Sequence, residues 1–237
     1  GCLFGEVTFT SSGTEAMNAA IIGLAMAHLH GARRRIVISA AEHHCATATA
    51  PTLERLGYEV KWVDVDATGR VRLDALAQIV NETTLCVVAM SVNNEIGTLQ
   101  PTQAIGAIAR ASGAFSICDA VQSLGSQPID VDAWGVDMLA VSAHKVRGPK
   151  GIGALYVRGG IKPTPLIVGG GQEREARAGT ENVAGIVGFA AAIEAYRRDQ
   201  QRNERKAAAR DRFWDAIAST SAARFTAAKE KVAPGHC

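Results

Sequence analysis

The chain carries the stretch Leu85-Cys86-Val87-Val88-Ala89-Met90, in which no polar side chain interrupts the apolar ones. A β-strand that is covered on both faces has this composition, because neither of its faces meets water. Six more short runs of strand-like composition lie on either side of it, at residues 7–10, 35–39, 58–63, 115–118, 138–141 and 153–157. Together they predict a sheet of seven strands.

Stretches with helical character separate the predicted strands. They lie at residues 14–30, 52–56, 73–80, 104–111, 180–198 and 204–218. Gly57, directly after the second stretch, is a helix stop signal. Strands that alternate with helices in this way predict an α/β fold, with a mostly parallel sheet and helices on both of its faces.

The composition is that of an ordinary globular enzyme. The 237 residues are 47% hydrophobic and 20% charged, and the formal net charge is +2. A charge so close to zero gives no reason to expect a nucleic acid or an acidic membrane surface as a partner. Every apolar stretch is shorter than the ~18 residues of a membrane span, so no membrane partner is expected either.

The cysteine pattern indicates neither a zinc site nor a disulfide framework. Five cysteines are widely spaced and no C-x-x-C pair occurs among them. Cys86 and Cys118 lie in predicted strands, and we interpret them as buried free thiols. A reducing cytoplasm is the location that fits this pattern best, and we expect no metal ion in the protein.

Polar side chains follow the predicted strands. These positions are Ser11-Ser12-Gly13-Thr14-Glu15, Glu42-His43-His44, Asn93-Asn94-Glu95, Asp119 with Gln122, and Ser142-Ala143-His144-Lys145. In an open α/β sheet the carboxyl ends of the strands form the ligand-binding edge. Many polar groups at the end of an apolar sheet are costly to bury unless they bind something, so we expect a ligand site there.

Three of these groups have a functional and a structural interpretation. The segment around Gly13 lies between a strand and a helix, where backbone N–H groups bind phosphate, although a simple helix cap by Ser12 or Thr14 explains it as well. Lys145 could form an imine with an aldehyde cofactor, or it could be a surface lysine. Asp119 could pair with a cationic ring nitrogen, or form a structural cap or ion pair.

Two common nucleotide motifs are absent from the sequence. The glycine-rich segment Gly148-Pro149-Lys150-Gly151 lacks the G-x-x-x-x-G-K-[ST] order of a Walker A loop. No strand–G-x-G-x-x-G–helix unit occurs either, so the sequence gives no support to a dinucleotide-binding fold.

The motifs together resemble a known family. The chain is similar to the class V, fold-type-I enzymes that depend on pyridoxal 5′-phosphate (PLP), and within them to the NifS/IscS-like cysteine desulfurases. The resemblance covers residues 8–195 and rests on six segments in the same order: 11–18, 42–43, 93–101, 119–122, 142–151 and 169–182. It implies the large domain of a PLP-dependent transferase at residues 1–200, and the beginning of a C-terminal small domain at 201–237.

The resemblance also implies a role for each matching residue. Lys145 would form a Schiff base with PLP and later move the substrate Cα proton. Asp119 would pair with the pyridinium nitrogen, and Gln122 would hydrogen-bond the phenolic oxygen of the ring. His43 would stack on the ring and act as an acid or base.

Further positions would hold the phosphate and the substrate. The resemblance assigns the phosphate to the Gly13 backbone, Thr14, Ser142 and His144. Thr180 would reach the phosphate of a partner subunit, because similar enzymes share their sites across a homodimer. Asn94 would face the carboxylate of the substrate.

The chain departs from the family pattern in two kinds of place. Val168 stands where a His is common, and Ser12 where a Gly is common. The family's persulfide-forming cysteine and its substrate-binding arginine both lie C-terminal to this chain, and none of the five cysteines matches the persulfide position. The absence of an initial Met and the ending at Cys237 favour a piece of a longer gene product.

The resemblance implies a cysteine desulfurase. The full enzyme would convert L-cysteine to L-alanine and pass the sulfur, through an enzyme persulfide, to an acceptor protein for iron–sulfur cluster or thio-cofactor synthesis. A selenocysteine lyase or another class V lyase or aminotransferase is the nearest alternative, and an inactive scaffold subunit of the same fold is a second one. We expect the isolated 237-residue chain to be inactive.

Overall fold

A single seven-stranded sheet organises the chain in the computed structural model, which describes residues 2–220 and 224–236. The strands are β1 (Val7–Thr10), β2 (Arg35–Ser39), β3 (Glu59–Val63), β4 (Thr84–Val88), β5 (Phe115–Asp119), β6 (Met138–Ser142) and β7 (Gly153–Val157). Their order across the sheet is β1-β7-β6-β5-β4-β2-β3. All seven predicted strands are therefore present, in one sheet.

Most of the sheet is parallel, as predicted. The pairs β2–β3, β2–β4, β4–β5 and β5–β6 are parallel, whereas β7 runs antiparallel to both of its neighbours, β6 and β1. Because β1 and β6 both oppose β7, they point the same way. The carboxyl ends of β1, β4, β5 and β6 consequently lie at one edge of the sheet.

Eight α-helices connect the strands in the described part of the chain. They are α1 (Gly13–Ala27), α2 (His44–Thr47), α3 (Ala50–Arg55), α4 (Leu73–Ile79), α5 (Thr102–Ala111), α6 (Val131–Trp134), α7 (Val183–Arg198) and α8 (Arg202–Ala218). The four-residue helices α2 and α6 have no counterpart in the prediction, because they are too short to show a period of 3.6 residues. Helix α7 starts three residues later than predicted, since the Asn182 side chain caps it by accepting the Gly185 N–H at 3.0 Å.

Two apolar layers cover the sheet, one on each face. On one face, Met17, Ile21 and Leu24 of α1 pack against alternate residues of β2, β4 and β5. On the other face, residues such as Val37 and Val87 of the same sheet pack against α4 and α5. The central strands are thus covered on both sides, which explains their continuous apolar sequence.

Both cysteines of the central strands are buried. Cys86 in β4 and Cys118 in β5 are free thiols with side chains within the apolar layers. The prediction of buried free thiols is confirmed for this pair. Cys237 lies outside the described residues.

The segment after α8 returns to the main body of the chain. The Leu99 N–H donates to the Lys231 carbonyl at 2.8 Å, and the Ala233 N–H donates to the Gly97 carbonyl at 2.8 Å. Val232, which forms a bridge with Thr98, is buried. Residues 224–236 are therefore attached to the loop that precedes α5.

Among residues 2–220 and 224–236, no helix combines the length and the apolar composition that crossing a membrane requires.

Candidate active site

Nine of the ten predicted site residues line one cavity at the carboxyl edge of the sheet. They are Gly13, Thr14, His43, Asn94, Asp119, Gln122, Ser142, His144 and Lys145. They come from the starts of α1 and α2, from the loop after β4, and from the ends of β5 and β6. The topology brings these distant segments together because parallel strands end at the same edge.

Asp119 forms the floor of the cavity. It is the last residue of β5, is only 6% exposed, and accepts the Val121 N–H at Oδ1 over 2.9 Å. Burial raises the pKa of its carboxyl, while the Val121 N–H, His43, the Cys45 thiol and Lys145 act in the opposite direction. A buried carboxylate of this kind is stabilised by a cationic partner inside the cavity.

Lys145 lies just after β6, within a 3₁₀ turn at Ala143–Val146. The turn ends at Arg147, whose φ of 62° is left-handed, and the Gly148 N–H donates to the Ala143 carbonyl at 2.9 Å. This turn presents the Lys145 side chain to the cavity, where it is exposed and free to react.

The start of α1 contributes free backbone donors to the cavity. Ser12 caps the helix by accepting the Glu15 N–H at 3.2 Å, so the N–H groups of the first turn point toward the cavity end. A Cβ at Gly13 would lie 2.6 Å from Val121 Cγ2, so only glycine fits without moving that neighbour. Anions are stabilised at such a helix start.

Ser142 and His144 lie opposite this helix start. Their Oγ and Nδ1 atoms are 2.8 Å apart. Burial, together with the charges of Lys145 and Lys150, lowers the pKa of His144, so its imidazole is neutral at neutral pH. A neutral imidazole and a hydroxyl act as hydrogen-bond donors to a phosphate without adding charge.

A second carboxyl, that of Glu42, lies close to Asp119. Its Oε1 accepts the Met90 N–H at 2.6 Å, and its buried Oε2 has no hydrogen-bond partner. Burial, reinforced by the charge of Asp119, raises the pKa of Glu42 to about 8. Glu42 is therefore held as a neutral acid at neutral pH.

The loop after β4 is fixed by Asn93, the neighbour of the predicted substrate residue Asn94. Asn93 donates to the Ala41 carbonyl at 2.9 Å and accepts the N–H groups of Glu95 and Ile96 at 2.9 and 3.0 Å. These bonds hold the backbone on both sides of Asn94, whose side chain faces the cavity.

Thr180 lies apart from the other predicted residues. It is exposed and lines a different depression, together with the end of β1 and the start of α7. The preceding loop is anchored by Arg177, whose Nε lies 2.9 Å from Glu15 Oε1. The role that the resemblance gives Thr180, at a partner subunit's phosphate, remains a prediction.

Sequence reasoning missed Cys45, which lines the cavity together with the apolar residues Met90, Val92 and Val121. Its buried thiol lies 3.7 Å from Asp119 Oδ2. The signal available in the sequence was its position two residues after His43 in a polar segment. Contact with Asp119, 74 residues away, could not be read from that spacing.

Comparison with known proteins places this geometry in a family. A family model for aminotransferase class-V matches residues 4–233. The chain belongs to the aminotransferase class-V family. This assignment confirms the family to which the motifs pointed.

Members of the family with similar sequences include the cysteine desulfurase IscS of Dictyoglomus turgidum. It is 48% identical over 189 residues, which cover 80% of this chain and 48% of that protein. The chain spans about half the length of the curated relatives it matches.

Solved structures of family members share the fold. A NifS-like protein superposes with a TM-score of 0.91 at 35% identity, covering 97% of this chain and 63% of that chain. A structure of SspA in complex with cysteine gives a TM-score of 0.84 at 35% identity, covering 96% of this chain and 65% of that chain. The predicted α/β fold with its mostly parallel seven-stranded sheet is confirmed.

The donor set of the cavity fits the cofactor that the resemblance implies. Lys145 offers a primary amine to an aldehyde, Asp119 offers a buried anion to a protonated pyridine nitrogen, and the start of α1 offers N–H groups to a phosphate. The residues present are thus compatible with PLP.

Proposed function

We propose that this chain is the cofactor-binding part of a PLP-dependent cysteine desulfurase. The observation that carries the proposal is the shared cavity of Lys145 and the buried Asp119, closed at one end by the start of α1. An amine, an anion and a phosphate-binding helix start are the three groups that PLP requires. Similarity to proteins described as cysteine desulfurases supports the choice of reaction.

PLP, when bound, supplies an electron-withdrawing ring that makes the substrate Cα proton acidic. Asp119 would hold the proton on the ring nitrogen, because the buried carboxylate gains most from a cationic neighbour. His43 would contact the ring, and Gln122 would donate to its oxygen substituent.

Phosphate binding is assigned to the groups at the far end of the cavity. The Gly13 N–H and the Thr14 hydroxyl would bind it from α1, and Ser142 with His144 from the end of β6. These four donors would hold the phosphate and so fix the orientation of the cofactor in the cavity.

Lys145 would move the proton at the substrate Cα. Its primary amine would hold the cofactor through the aldehyde and, when free, would act as the base at this proton. Asn94 would hydrogen-bond the substrate carboxylate from the loop after β4.

The overall reaction would transfer sulfur from L-cysteine to an enzyme thiol. L-cysteine and the thiol give L-alanine and a persulfide, so the thiol gains one sulfur atom and the Cβ–S bond of the substrate is replaced by a C–H bond. The sulfur would then pass to an acceptor protein. Cys45, Cys86 and Cys118 are buried, and the exposed Cys2 does not match the persulfide position of the family, so we assign the accepting thiol to the part of the relatives' length that this chain does not span.

The proposed assembly is a homodimer. An exposed apolar surface supports it, where Leu3, Phe4 and Val183, each more than 60% exposed, line one depression. Such a patch is unusual on a monomer and typical of an interface. The division into domains at residues 200/201 and a cytoplasmic location remain predictions.

The activity is tested on the full-length gene product after loading with PLP. The proposal expects alanine and sulfide in equal amounts from L-cysteine in the presence of a reductant, and none from the Lys145→Ala variant. Selenocysteine as a competing substrate separates this activity from that of a selenocysteine lyase. A loaded, folded protein that releases no alanine from L-cysteine would refute the desulfurase assignment.

A further inference from the structure

Cys45 connects two of the groups that the proposed function places against the cofactor ring. Its thiol lies 3.7 Å from Asp119 Oδ2, within hydrogen-bond distance for sulfur. Its backbone N–H donates to His43 Nδ1 at 3.1 Å, which leaves the other ring nitrogen of His43 to carry the proton of the neutral form. One residue thus touches both the acidic and the imidazole group of the cavity.

The position of Cys45 is fixed from a third direction. Its carbonyl accepts the Asn18 side-chain N–H at 3.0 Å, which ties it to α1. The same Asn18 amide group donates to the Thr14 carbonyl at 3.0 Å, inside the first turns of that helix. The backbone of Cys45 is therefore hydrogen-bonded to α1, the helix whose start faces the cavity.

The Cys45 thiol acts as a donor in this contact. Burial, followed by the charge of Asp119, raises the pKa of the thiol to about 12, so it keeps its proton. Asp119 Oδ1 already accepts the Val121 N–H at 2.9 Å. The Cys45 S–H is the donor to the second oxygen, Oδ2.

A metal ion is the other ligand that such a group of atoms could hold. The ligand atoms of His43, Cys45 and Asp119 all lie within 4.8 Å of one another. Within the protein, however, His43 Nδ1 already accepts the Cys45 N–H, and the thiol and the carboxylate bond to each other. The geometry favours a hydrogen-bonded unit over a metal site.

We propose that Cys45 is a positioning residue. Its thiol donates to Asp119 Oδ2 and so sets the basicity of Asp119 toward the proton on the nitrogen of the cofactor ring. This inference rests on the proposed function. A donor to a carboxylate stabilises its ionised form, and the proton then stays on the ring nitrogen. Without the donor, Asp119 becomes more basic and the ring withdraws fewer electrons.

The pH at which the Schiff base between Lys145 and PLP loses its proton reports how strongly the ring withdraws electrons. A ring that withdraws less makes this nitrogen more basic, so its titration midpoint moves to higher pH. The other titratable groups that influence Asp119 or Cys45 are Glu42 from the loop after β2, His43 at the start of α2 and Lys145 after β6. The variants below leave all three unchanged.

The test uses the full-length gene product loaded with PLP and measures its visible absorption as a function of pH. Cys45→Ala removes the donor, and we expect the midpoint to rise by roughly half to one pH unit, the size of a weak hydrogen bond to a charged group. Cys45→Ser keeps a donor, on a shorter side chain, and should move the midpoint less than Cys45→Ala does. Cys86→Ala, at a buried thiol in β4 away from Asp119, is the matched control.

The outcomes separate this inference from the proposed function. Two results would overturn the role of Cys45 and leave the proposed function intact, provided that the native protein shows the visible band. One is a midpoint in Cys45→Ala equal to the native one, and the other is an equal shift of the midpoint in Cys45→Ala and Cys45→Ser. A native protein that takes up no PLP would overturn both.

An infrared measurement on the native protein keeps the inference testable if Cys45→Ala does not fold. Subtracting the Cys45→Ser spectrum isolates the S–H stretch of Cys45 from those of the other thiols. A frequency lowered by hydrogen bonding supports the proposal, and the frequency of a free thiol contradicts it.

Discussion

Asp119 is the residue whose charge the cavity depends on. It is buried at the end of β5, where one oxygen accepts the Val121 N–H and the other the Cys45 thiol. Its isosteric amide keeps the acceptor toward Val121 but loses the negative charge. Asp119→Asn therefore removes the charge at the ring nitrogen, together with the acceptor for the Cys45 thiol, in a side chain of the same shape.

Asp119→Asn should slow the exchange of the substrate Cα proton by about 10²-fold or more, because it removes the negative charge that would keep the ring nitrogen protonated and the ring electron-withdrawing. Exchange in deuterated water, followed by proton NMR on the loaded full-length protein, measures this. Asp74→Asn, at an exposed carboxyl in α4, is the control. Native exchange rates in Asp119→Asn would remove Asp119 from the mechanism.

Glu42 makes the stability of the cofactor-free protein depend on pH. Its pKa is about 8 in the folded chain and 4.5 without burial, so the folded state holds this proton more tightly. The resulting stabilisation is complete below the lower value and is lost as the pH rises through the higher one.

Replacing Glu42 by Gln removes this titration and keeps the acceptor for Met90 N–H. We expect the free energy of unfolding of the native protein, relative to Glu42→Gln, to fall by up to a few kcal/mol between about pH 5 and about pH 8. Urea unfolding at both pH values measures the difference. A difference that does not change with pH would show that Glu42 is ionised throughout.

At the scale of elements, β7 packs closely on the turn that leads into α1. A Cβ at Gly153 would lie 2.6 Å from the Ser12 carbonyl carbon and 2.9 Å from the Gly13 nitrogen. These are backbone atoms, so a side chain there must displace the start of α1. The strand thereby holds the helix start at its place in the cavity.

Gly153→Ala should lower the free energy of unfolding by about 1–3 kcal/mol, the usual cost of overpacking. It should also weaken PLP binding by about tenfold, a loss of ~1.4 kcal/mol, because the phosphate donors move. Equilibrium titration with PLP and urea unfolding measure the two effects. Gly5→Ala, with no atom within 4 Å of its added Cβ, should change neither the stability nor the PLP affinity. A PLP affinity that Gly153→Ala leaves unaffected would argue against phosphate binding at α1.

The elements were predictable from sequence where their own composition determines them. The strand residues 85–88 are apolar throughout because they are covered on both faces, and nothing outside this run is needed to recognise it. The direction of β7 depends on its partners β1 and β6, which lie far away in the sequence. The start of α7 depends on the Asn182 cap, a signal that was present but weaker than the apolar pattern after it.

The candidate site was predictable to a similar degree. Its residues were found because polar groups follow strands that must end at one edge, and because the motifs resemble a family. The pairing of Cys45 with Asp119 was not predictable, since it is a contact between the start of α2 and the end of β5 that arises only after the sheet has formed. Contacts of this kind have no local signature.

At the scale of the whole molecule, residues 224–236 couple the end of the chain to the loop of Asn94. Val232 is buried against this loop, and the backbone bonds of Gly97 and Leu99 fix it. The loop that contains Asn94 is therefore held on one side by a segment that lies more than a hundred residues later in the sequence.

Val232→Asp should lower the free energy of unfolding by about 2–3 kcal/mol, because it buries a charge without a partner. The amide protons of Leu99 and Ala233 should also exchange faster with solvent, as their hydrogen bonds open. Lys231→Asp places the same side chain at an exposed position and should leave both nearly unchanged. Equal effects from the two variants would show that the segment does not hold the loop.

The central claim is that Lys145 carries PLP covalently at this edge of the sheet. The most direct measurement is reduction of the PLP-loaded protein with borohydride, followed by peptide mass spectrometry. The account predicts a visible absorption band that reduction abolishes, and a phosphopyridoxyl group on the peptide that contains Lys145. A label on another lysine, or none on a folded protein saturated with PLP, would contradict it.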